Sequence, residues 1–451
     1  MSDTIKIRKG LNIKLAGAPE PRLCDGFQAT SYALRPDDFP GLVPRVLVHE
    51  GDVVQAGTAL FCDKNRPRVL FTSPVSGRVE AVVRGPRRKL LAVVVSGDDR
   101  GKSESFPVAD PLALSRDEVC DVLLRSGLWP SLIQRPYGII AQPGDVPRDI
   151  FISAFDSAPL APDHAFVLKD EAADFQAGVH ALSRLTSGKV HLGLPAGRPD
   201  YAFLGAIQGL TCHYFQGPHP AGNVGIQIHH IAPVNKGEVV WTVHPQEVVL
   251  MGRLFLRGVC DFSLLLAVTG AEAPVTPAYY RVIRGSSVRW LTARSADGAP
   301  RRYISGNVLT GNRLDADGFL GYYDHQITVL PEGGEPEFLG WMMPGMNKFS
   351  FWKMFPAFLM PGKQYRPDTR LNGGHRAFVF SGVYEKVVPM DLLPVHLLKA
   401  SLAGNVELME QLGIYEVIEE DLALCEVICP SKMEVQKMLR QGIDLMIREM
   451  S

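Results

Sequence analysis

The spacing of apolar residues changes several times along the 451-residue chain, and each change predicts a different kind of structure. Between residues 36 and 97, short apolar runs are separated by turn residues such as Gly51-Asp52 and Ser76-Gly77. This pattern is typical of short strands joined by tight turns. The first block therefore predicts a small all-β unit.

A second block begins near residue 110. Ser115 and Glu118 have the spacing of a capping box at the start of its first helix. Residues 149–155 have the pattern of a buried strand, 171–188 repeat their apolar positions at helical spacing, and 189–194 form the next strand pattern. Strand, helix and strand in this order predict a largely parallel α/β sheet.

Short β-like runs return between about 260 and 335, and helical spacing dominates the last 65 residues. A second capping box is predicted there at Ser431 and Glu434. The pattern as a whole predicts an α+β multidomain chain. Its predicted parts are an N-terminal segment (1–35), a β unit (36–100), an α/β domain (101–257), a β-rich module (258–335), and a linker with a C-terminal helical bundle (336–451).

Composition excludes several classes of protein. The chain has 47 Lys and Arg against 48 Asp and Glu, so it lacks the positive charge of a nucleic-acid-binding protein. Its longest apolar runs are shorter than the roughly 18 to 20 residues of a membrane-spanning helix, and the N-terminus has no apolar signal region. The seven scattered cysteines are typical of reduced thiols. We expect a cytoplasmic protein without disulfides or a transmembrane segment.

Motifs for metals and nucleotides are incomplete. Cys425 and Cys429 are the close cysteine pair, which is too few thiolates for an iron–sulfur cluster, and we expect both in a core. His219, His229 and His230 lack the spacing of metal ligands, although the turn at His219 precedes a helix whose N–H groups are a candidate anion site. The α/β block has no glycine-rich phosphate loop, so we predict a Rossmann-like domain that does not bind NADH or ATP by itself.

One segment is unusually rich in aromatic residues next to basic ones. Two interpretations remain open for it, a hydrophobic core and a docking surface for a membrane or partner protein. The candidate docking residues are Phe349, Phe351, Trp352, Phe355 and Phe358.

The β unit resembles the biotinyl/lipoyl-type barrel-sandwich fold in HEGDVVQAG, FCDKN and SPVSGRVEAV. In carriers of that family a hairpin lysine holds the prosthetic group, and Lys64 is the corresponding candidate. The segment that follows Lys64 is longer than the usual carrier spacing, so a structural barrel is favoured over a lipoyl-type carrier.

The whole chain resembles the A subunit of the bacterial Na(+)-translocating NADH:quinone oxidoreductase. The resemblance rests on IKIRKGLNIKLAGAP, SGLWPSLIQRP, GPHPAGNVGIQIHHIAPVN, GWMMPGMNKFS and EEDLALCEVICPSK. Proteins of that family are similar in architecture to the C subunit of the Rnf complex and to the NADH-binding flavoprotein subunit of respiratory complex I. The resemblance implies that the β-rich module is β-grasp-like, of the SLBB type.

The resemblance also implies a function. It implies a peripheral subunit on the cytoplasmic face of the bacterial inner membrane, in a translocase that reduces ubiquinone to ubiquinol and exports sodium ions. The implied partners are the five other subunits, B to F, and ubiquinone. Where relatives carry a flavin loop this chain has SGLWPSLIQRP, and their cluster-binding cysteine region is reduced here to Cys425 and Cys429. Neither FMN nor an iron–sulfur cluster is therefore expected, and no covalently bound cofactor either. The chain alone is not expected to hold a complete active site.

Quinone binding needs an apolar slot with a few polar groups. The candidate quinone-binding residues are Trp129 and Tyr137, near the missing flavin loop, with core packing as their other interpretation. No catalytic or metal-binding residues are predicted. The alternative functions are a free-standing flavin-dependent NADH dehydrogenase and a lipoyl-type carrier scaffold.

Overall fold

The computed structural model describes residues 4–24, 29–98, 100–295, 298–334, 337, 339–340, 342–343 and 345–450. The strands are β1 (Thr4–Lys6), β2 (Leu23–Cys24), β3 (Ser31–Leu34), β4 (Pro44–Val46), β5 (Val53–Val54), β6 (Ala59–Asp63), β7 (Leu70–Thr72), β8 (Gly77–Arg84), β9 (Leu90–Gly97), β10 (Ile133–Arg135), β11 (Ile139–Ile140), β12 (Ile150–Ser153), β13 (Val190–Pro195), β14 (Leu210–Gln216), β15 (Val240–Val243), β16 (Ser263–Thr269), β17 (Ala278–Ile283), β18 (Arg301–Ser305), β19 (Asn312–Leu314) and β20 (Gln326–Pro331). The helices are α1 (Arg116–Ser126), α2 (His164–Leu168), α3 (Ala172–Leu185), α4 (Ala202–Gly205), α5 (Val224–Ile231), α6 (Pro245–Arg257), α7 (Arg289–Thr292), α8 (Pro394–Ala403), α9 (Val406–Gln411), α10 (Ala423–Ile428) and α11 (Val435–Met450).

The first β unit consists of two small antiparallel sheets. One has the strand order β3-β9-β8-β5 and the other β4-β6-β7. Alternate side chains of these strands point into a shared core, where Phe61 stacks on Phe71 with ring centroids 4.7 Å apart. This is the barrel-sandwich arrangement that the sequence predicts.

The α/β domain contains a seven-stranded sheet with the order β1-β14-β13-β12-β15-β10-β11. The first five strands are parallel, and β10 and β11 add an antiparallel edge. Strand β12 is buried on both faces. Ile150 and Ile152 belong to the core that includes α3 and α6, whereas Phe151 packs with Ile228 of α5. The largely parallel sheet of the sequence prediction is thus present, covered by helices on both faces.

A third sheet, with the order β19-β18-β20-β16-β17-β2, has its own core that includes Leu266, Tyr280 and Val329. The C-terminal helices α8 to α11 pack around another core, which contains Met409, Cys425 and Leu439. Among the described residues no helix is both long enough and apolar enough to cross a membrane.

The N-terminal segment 1–35 contributes strands to three different sheets. Strand β1 pairs in parallel with β14 of the α/β sheet, β2 pairs with β17 of the third sheet, and β3 pairs with β9 of the barrel. These strands have two to four residues, which is too short for apolar periodicity to reveal their pairing.

Only the first predicted capping box forms among the described residues. The Ser115 Oγ accepts a hydrogen bond from the backbone N–H of Glu118, and the Glu118 carboxylate accepts the N–H of Ser115 at 2.8 Å. The second prediction was wrong, because Ser431 Oγ donates to the carbonyl oxygen of Ala377 at 2.8 Å and α11 begins only at Val435.

Candidate functional site

A cavity of about 280 Å³ lies at the carboxyl ends of β12 and β15. Strand order reverses at this point, because the chain runs from β12 to β13 and β14 on one side and returns to β15 on the other. In open α/β sheets, ligands bind in the crevice at such a switch point. The cavity therefore occupies the position where this architecture places ligands.

Three parts of the chain converge on the cavity. The α/β domain supplies most of the wall, and the C-terminal part supplies Ile418 and Glu420. The β-rich module supplies Asn307, Leu309, Thr310 and Tyr323. The α/β residues on the wall are Ser131, Ile133, Arg135, Ser153, Phe155, Asp156, Ala158, His164, His219, Gly222, Asn223, Val224, Thr242, Val243, His244 and Glu247. The site is thus complete only when these domains pack together.

A group of three histidines lies beside the cavity. His244 precedes α6 and caps it, since its Nδ1 accepts the backbone N–H of Gln246 at 3.3 Å. Its ring stacks on His325 at 3.7 Å between centroids and meets His164 edge-on at 5.1 Å. Burial lowers the pKa of His164 to about 4, and burial together with His325, His164 and Arg284 holds the pKa of His244 well below its usual value. His164 and His244 are therefore neutral near pH 7.

A buried ion pair lies next to these rings. Arg284 donates a short hydrogen bond to Glu247, which also accepts from Ser131 Oγ at 2.5 Å. The Nε2 of His325 lies 3.3 Å from the Glu247 carboxylate. Burial alone would raise the pKa of Glu247, but Arg284 and His325 outweigh burial and lower the pKa to about 2. Glu247 is therefore ionised, and its charge is balanced inside the protein.

A second group of ion pairs forms the side of the cavity wall next to the C-terminal part of the chain. Arg135 donates to Asp421 at 2.8 Å and to Glu420 at 2.7 Å. Burial raises the pKa of Glu420 to about 7, although Arg135 acts in the opposite direction. The Asp421 carboxylate lies against the first turn of α5, where a Cβ on Gly225 would be 2.4 Å from Oδ1. One carboxylate of the protein itself, that of Asp421, thus lies at the helix start that the sequence suggested as an anion site.

Neither predicted quinone-binding side chain lines the cavity. Trp129 is completely buried, packs edge-on against Trp241 and donates its indole N–H to the carbonyl oxygen of Ala141 at 2.8 Å. Tyr137 is half-buried and packs against Tyr415 in the C-terminal core. The structure therefore supports core packing for Trp129. The same loop nevertheless reaches the cavity through Ser131, Ile133 and Arg135.

The candidate docking residues divide between core and surface. Trp352 and Phe358 are exposed at 47% and 48%, Phe355 is buried, and Phe349 and Phe351 are intermediate. The buried Phe355 therefore fits the interpretation as a hydrophobic core, whereas the exposed Trp352 and Phe358 fit the interpretation as a docking surface.

The other residues chosen from the sequence have structural surroundings. His219 lines the cavity, with Nδ1 3.1 Å from Ser157 Oγ, whereas His229 pairs with Glu416 at 2.6 Å and His230 with the Ile226 carbonyl. Cys425 and Cys429 are buried in the C-terminal core, as expected. Lys64 is exposed after β6. No group of metal-binding side chains occurs among the described residues.

Sequence reasoning missed His164, His244, Glu247 and His325. One local signal was present, because the strand pattern of 239–243 is followed by His244-Pro245-Gln246-Glu247, a helix start at the end of a strand. In a parallel sheet such a position faces the ligand crevice. His325 and Arg284 had no comparable signal.

The comparisons with known proteins agree with this architecture. Three family models match, described as the NqrA N-terminal barrel-sandwich hybrid domain (5–98), the NqrA second alpha/beta domain (114–260) and the NQRA C-terminal domain (265–316). The A subunit of the Na(+)-translocating NADH-quinone reductase of Yersinia pestis bv. Antiqua (strain Angola) is 41% identical over 97% of this chain and 98% of its own. The corresponding protein of Neisseria meningitidis serogroup A is 39% identical over 99% and 100%.

A NAD+-reducing [NiFe]-hydrogenase is similar at a TM-score of 0.39 and 12% identity, over 75% of this chain and 62% of its own. The fold and the matched domains define a multidomain protein of the NqrA class, with a barrel-sandwich, an α/β domain and an SLBB-type domain. The chain belongs to the family of the A subunit of the Na(+)-translocating NADH-quinone reductase, a translocase complex.

Proposed function

We propose that this protein contributes to ubiquinone reduction coupled to sodium export by holding a quinone head group in the cavity at the switch point. The observation that carries the proposal is the lining of that cavity. Ile133, Phe155, Val243 and Leu309 supply apolar surface, and Ser131, His244 and Glu420 supply polar groups. An apolar slot with a few polar groups suits a neutral ring with carbonyl oxygens.

The charges on the wall favour a neutral ligand over a phosphate-bearing one. Glu247 is ionised and paired with Arg284, and the guanidinium of Arg135 is already paired with Glu420 and Asp421, so neither arginine is free to bind a phosphate. A flavin mononucleotide or a dinucleotide needs cations or free N–H groups for its phosphates. These residues therefore do not fit FMN or NADH, which disfavours the free-standing flavin-dependent dehydrogenase.

Titration of ubiquinone-1 into the purified protein, followed by tryptophan fluorescence, tests this proposal. We expect saturable quenching, which FMN and NADH do not compete away. Ile133→Phe places extra volume in the cavity and is expected to weaken binding by about tenfold or more.

Ile139→Phe is the matched control for this experiment. Ile139 lies on the neighbouring strand β11, is equally half-buried and does not line the cavity. Binding in this variant should equal that of the wild type. Absence of saturable quenching in the wild type, or equal loss in both variants, contradicts a quinone site in this cavity.

We further propose that the surface around Trp352 and Phe358 joins this protein to another subunit of the complex at the cytoplasmic face of the membrane. Many exposed side chains in this region are large and apolar, and such patches mark interaction sites. They are Met342, Met343, Met346, Trp352, Met354, Phe358, Leu359, Met360, Leu371, Val379 and Phe380. Residues 342–386 also hold seven Lys or Arg against two Asp or Glu. The partner surface that complements this charge is apolar with an acidic rim.

Trp352→Asp combined with Phe358→Asp tests this docking surface. Both side chains are exposed, so the double variant should fold and keep the thermal midpoint of the wild type. Because its docking surface now carries two negative charges, the variant should no longer co-purify with the rest of the complex. Val108→Asp is the control, because Val108 is 66% exposed and lies outside the patch. Normal assembly of the double variant would rule out the proposed surface.

A further inference from the structure

His244 is held in one tautomer by the helix that it caps. Its Nδ1 accepts the backbone N–H of Gln246 at 3.3 Å, at the start of α6. A neutral imidazole whose Nδ1 is an acceptor carries its proton on Nε2. The cap therefore leaves an N–H donor at the other side of the ring.

That donor is free among the described residues. The Nε2 of His244 has no hydrogen-bond partner in the described part of the chain, and His244 is partly accessible on the cavity wall. His164 and His325, which pack against its ring, are both buried. Of these three histidines, His244 is thus the accessible one.

The surroundings also keep His244 uncharged. Burial, His325, His164 and Arg284 all lower the pKa of the ring. An imidazole that stays neutral can donate its N–H to a carbonyl oxygen without taking up a second proton itself. The ring position is fixed as well, because it is stacked on His325 at 3.7 Å.

We infer that the Nε2–H of His244 donates a hydrogen bond to one carbonyl oxygen of a 1,4-benzoquinone head group in the cavity and so positions the ring. This inference rests on the proposed quinone site. It adds to that site a specific hydrogen-bond donor, His244, and a class of ligand, neutral rings that carry a carbonyl acceptor.

Two variants remove the donor and each keeps a different part of the surroundings. His244→Phe keeps the stacked ring and loses the cap, whereas His244→Asn keeps an acceptor for the cap and its shorter amide does not reach the Nε2 position. We expect ubiquinone-1 to bind about three- to tenfold more weakly to both variants in the full-length protein. His230→Phe is the control, an exposed ring bound to the Ile226 carbonyl and outside the cavity.

Infrared spectroscopy with ¹³C-carbonyl-labelled ubiquinone-1 gives a second readout, which a purely structural role of His244 would not change. The stretching band of one bound carbonyl should be lowered in the wild type and in His230→Phe, and should return to the free value in both His244 variants. Unchanged affinity and an unchanged carbonyl band in these variants would overturn the inference and leave the quinone site intact. Lack of ubiquinone-1 binding to the wild type would overturn both.

Discussion

Arg284→Met is expected to lower the free energy of unfolding by about 3–5 kcal/mol, because it leaves the Glu247 carboxylate buried without its main counter-charge. Arg284 is 1% exposed and Glu247 is equally buried. The guanidinium also lies over the Tyr322 ring at 4.1 Å, a contact that a methionine replaces only in part. Urea unfolding at pH 7, followed by circular dichroism, measures the change.

The double variant Arg284→Met with Glu247→Leu separates loss of the pair from loss of packing. Replacing both ionised groups by apolar ones removes the uncompensated charge, so at least half of the lost stability should return. Lys437→Met is a surface control, because its partner Glu434 and Lys437 are 68% and 66% exposed, and it should change stability by less than about 1 kcal/mol. A double variant as unstable as the single one would mean that the charge of Glu247 is not the cause.

Gly252→Ala is expected to destabilise the α/β domain by about 3 kcal/mol or more, through overpacking between two helix backbones. A Cβ on Gly252 of α6 would lie 1.7 Å from the carbonyl oxygen of Asp174 on α3. On the facing helix, a Cβ on Gly178 would lie 2.0 Å from the carbonyl oxygen of Val248. Backbone atoms cannot rotate away as a side chain does, so the helices must separate and the strands beneath them lose packing.

The thermal midpoint of the purified protein measures this effect. Gly144→Ala is the matched control, since its Cβ would meet no atom within 4 Å and Gly144 is not among the glycines with positive φ. We expect the control to melt within a few degrees of the wild type. If Gly252→Ala had the same thermal midpoint as the wild type, α3 and α6 would not be in close contact at Gly252.

Local pattern was sufficient for much of the fold. The strand at Ile150–Ser153, the helix after Ser115 and the largely parallel sheet all follow from apolar spacing and caps within one or two elements. The missing phosphate loop could also be recognised, because a glycine-rich loop is a contiguous motif. Such features depend on residues that are close together in the sequence, so a single sequence is enough to predict them.

The two residues predicted for a quinone site, Trp129 and Tyr137, do not line the cavity. The loop 126–136 does reach the cavity, but Trp129 turns into the core and Ser131 and Ile133 form the wall. An aromatic side chain near such a loop can equally be a core residue or a ligand-binding residue until its burial is known. In the aromatic segment, likewise, only the structure separates the exposed Trp352 from the buried Phe355.

By itself, then, the sequence determined the class of fold, the absence of a contiguous phosphate loop and the resemblance to a family. The tertiary structure alone decided which distant residues meet. Arg135 pairs with Asp421, 286 positions away, and His244 stacks on His325 from another domain. Strand β1 joins the sheet beside β14, some 200 residues later. The physical reason is that such contacts are made by the packing of whole elements and leave no periodicity in the local sequence.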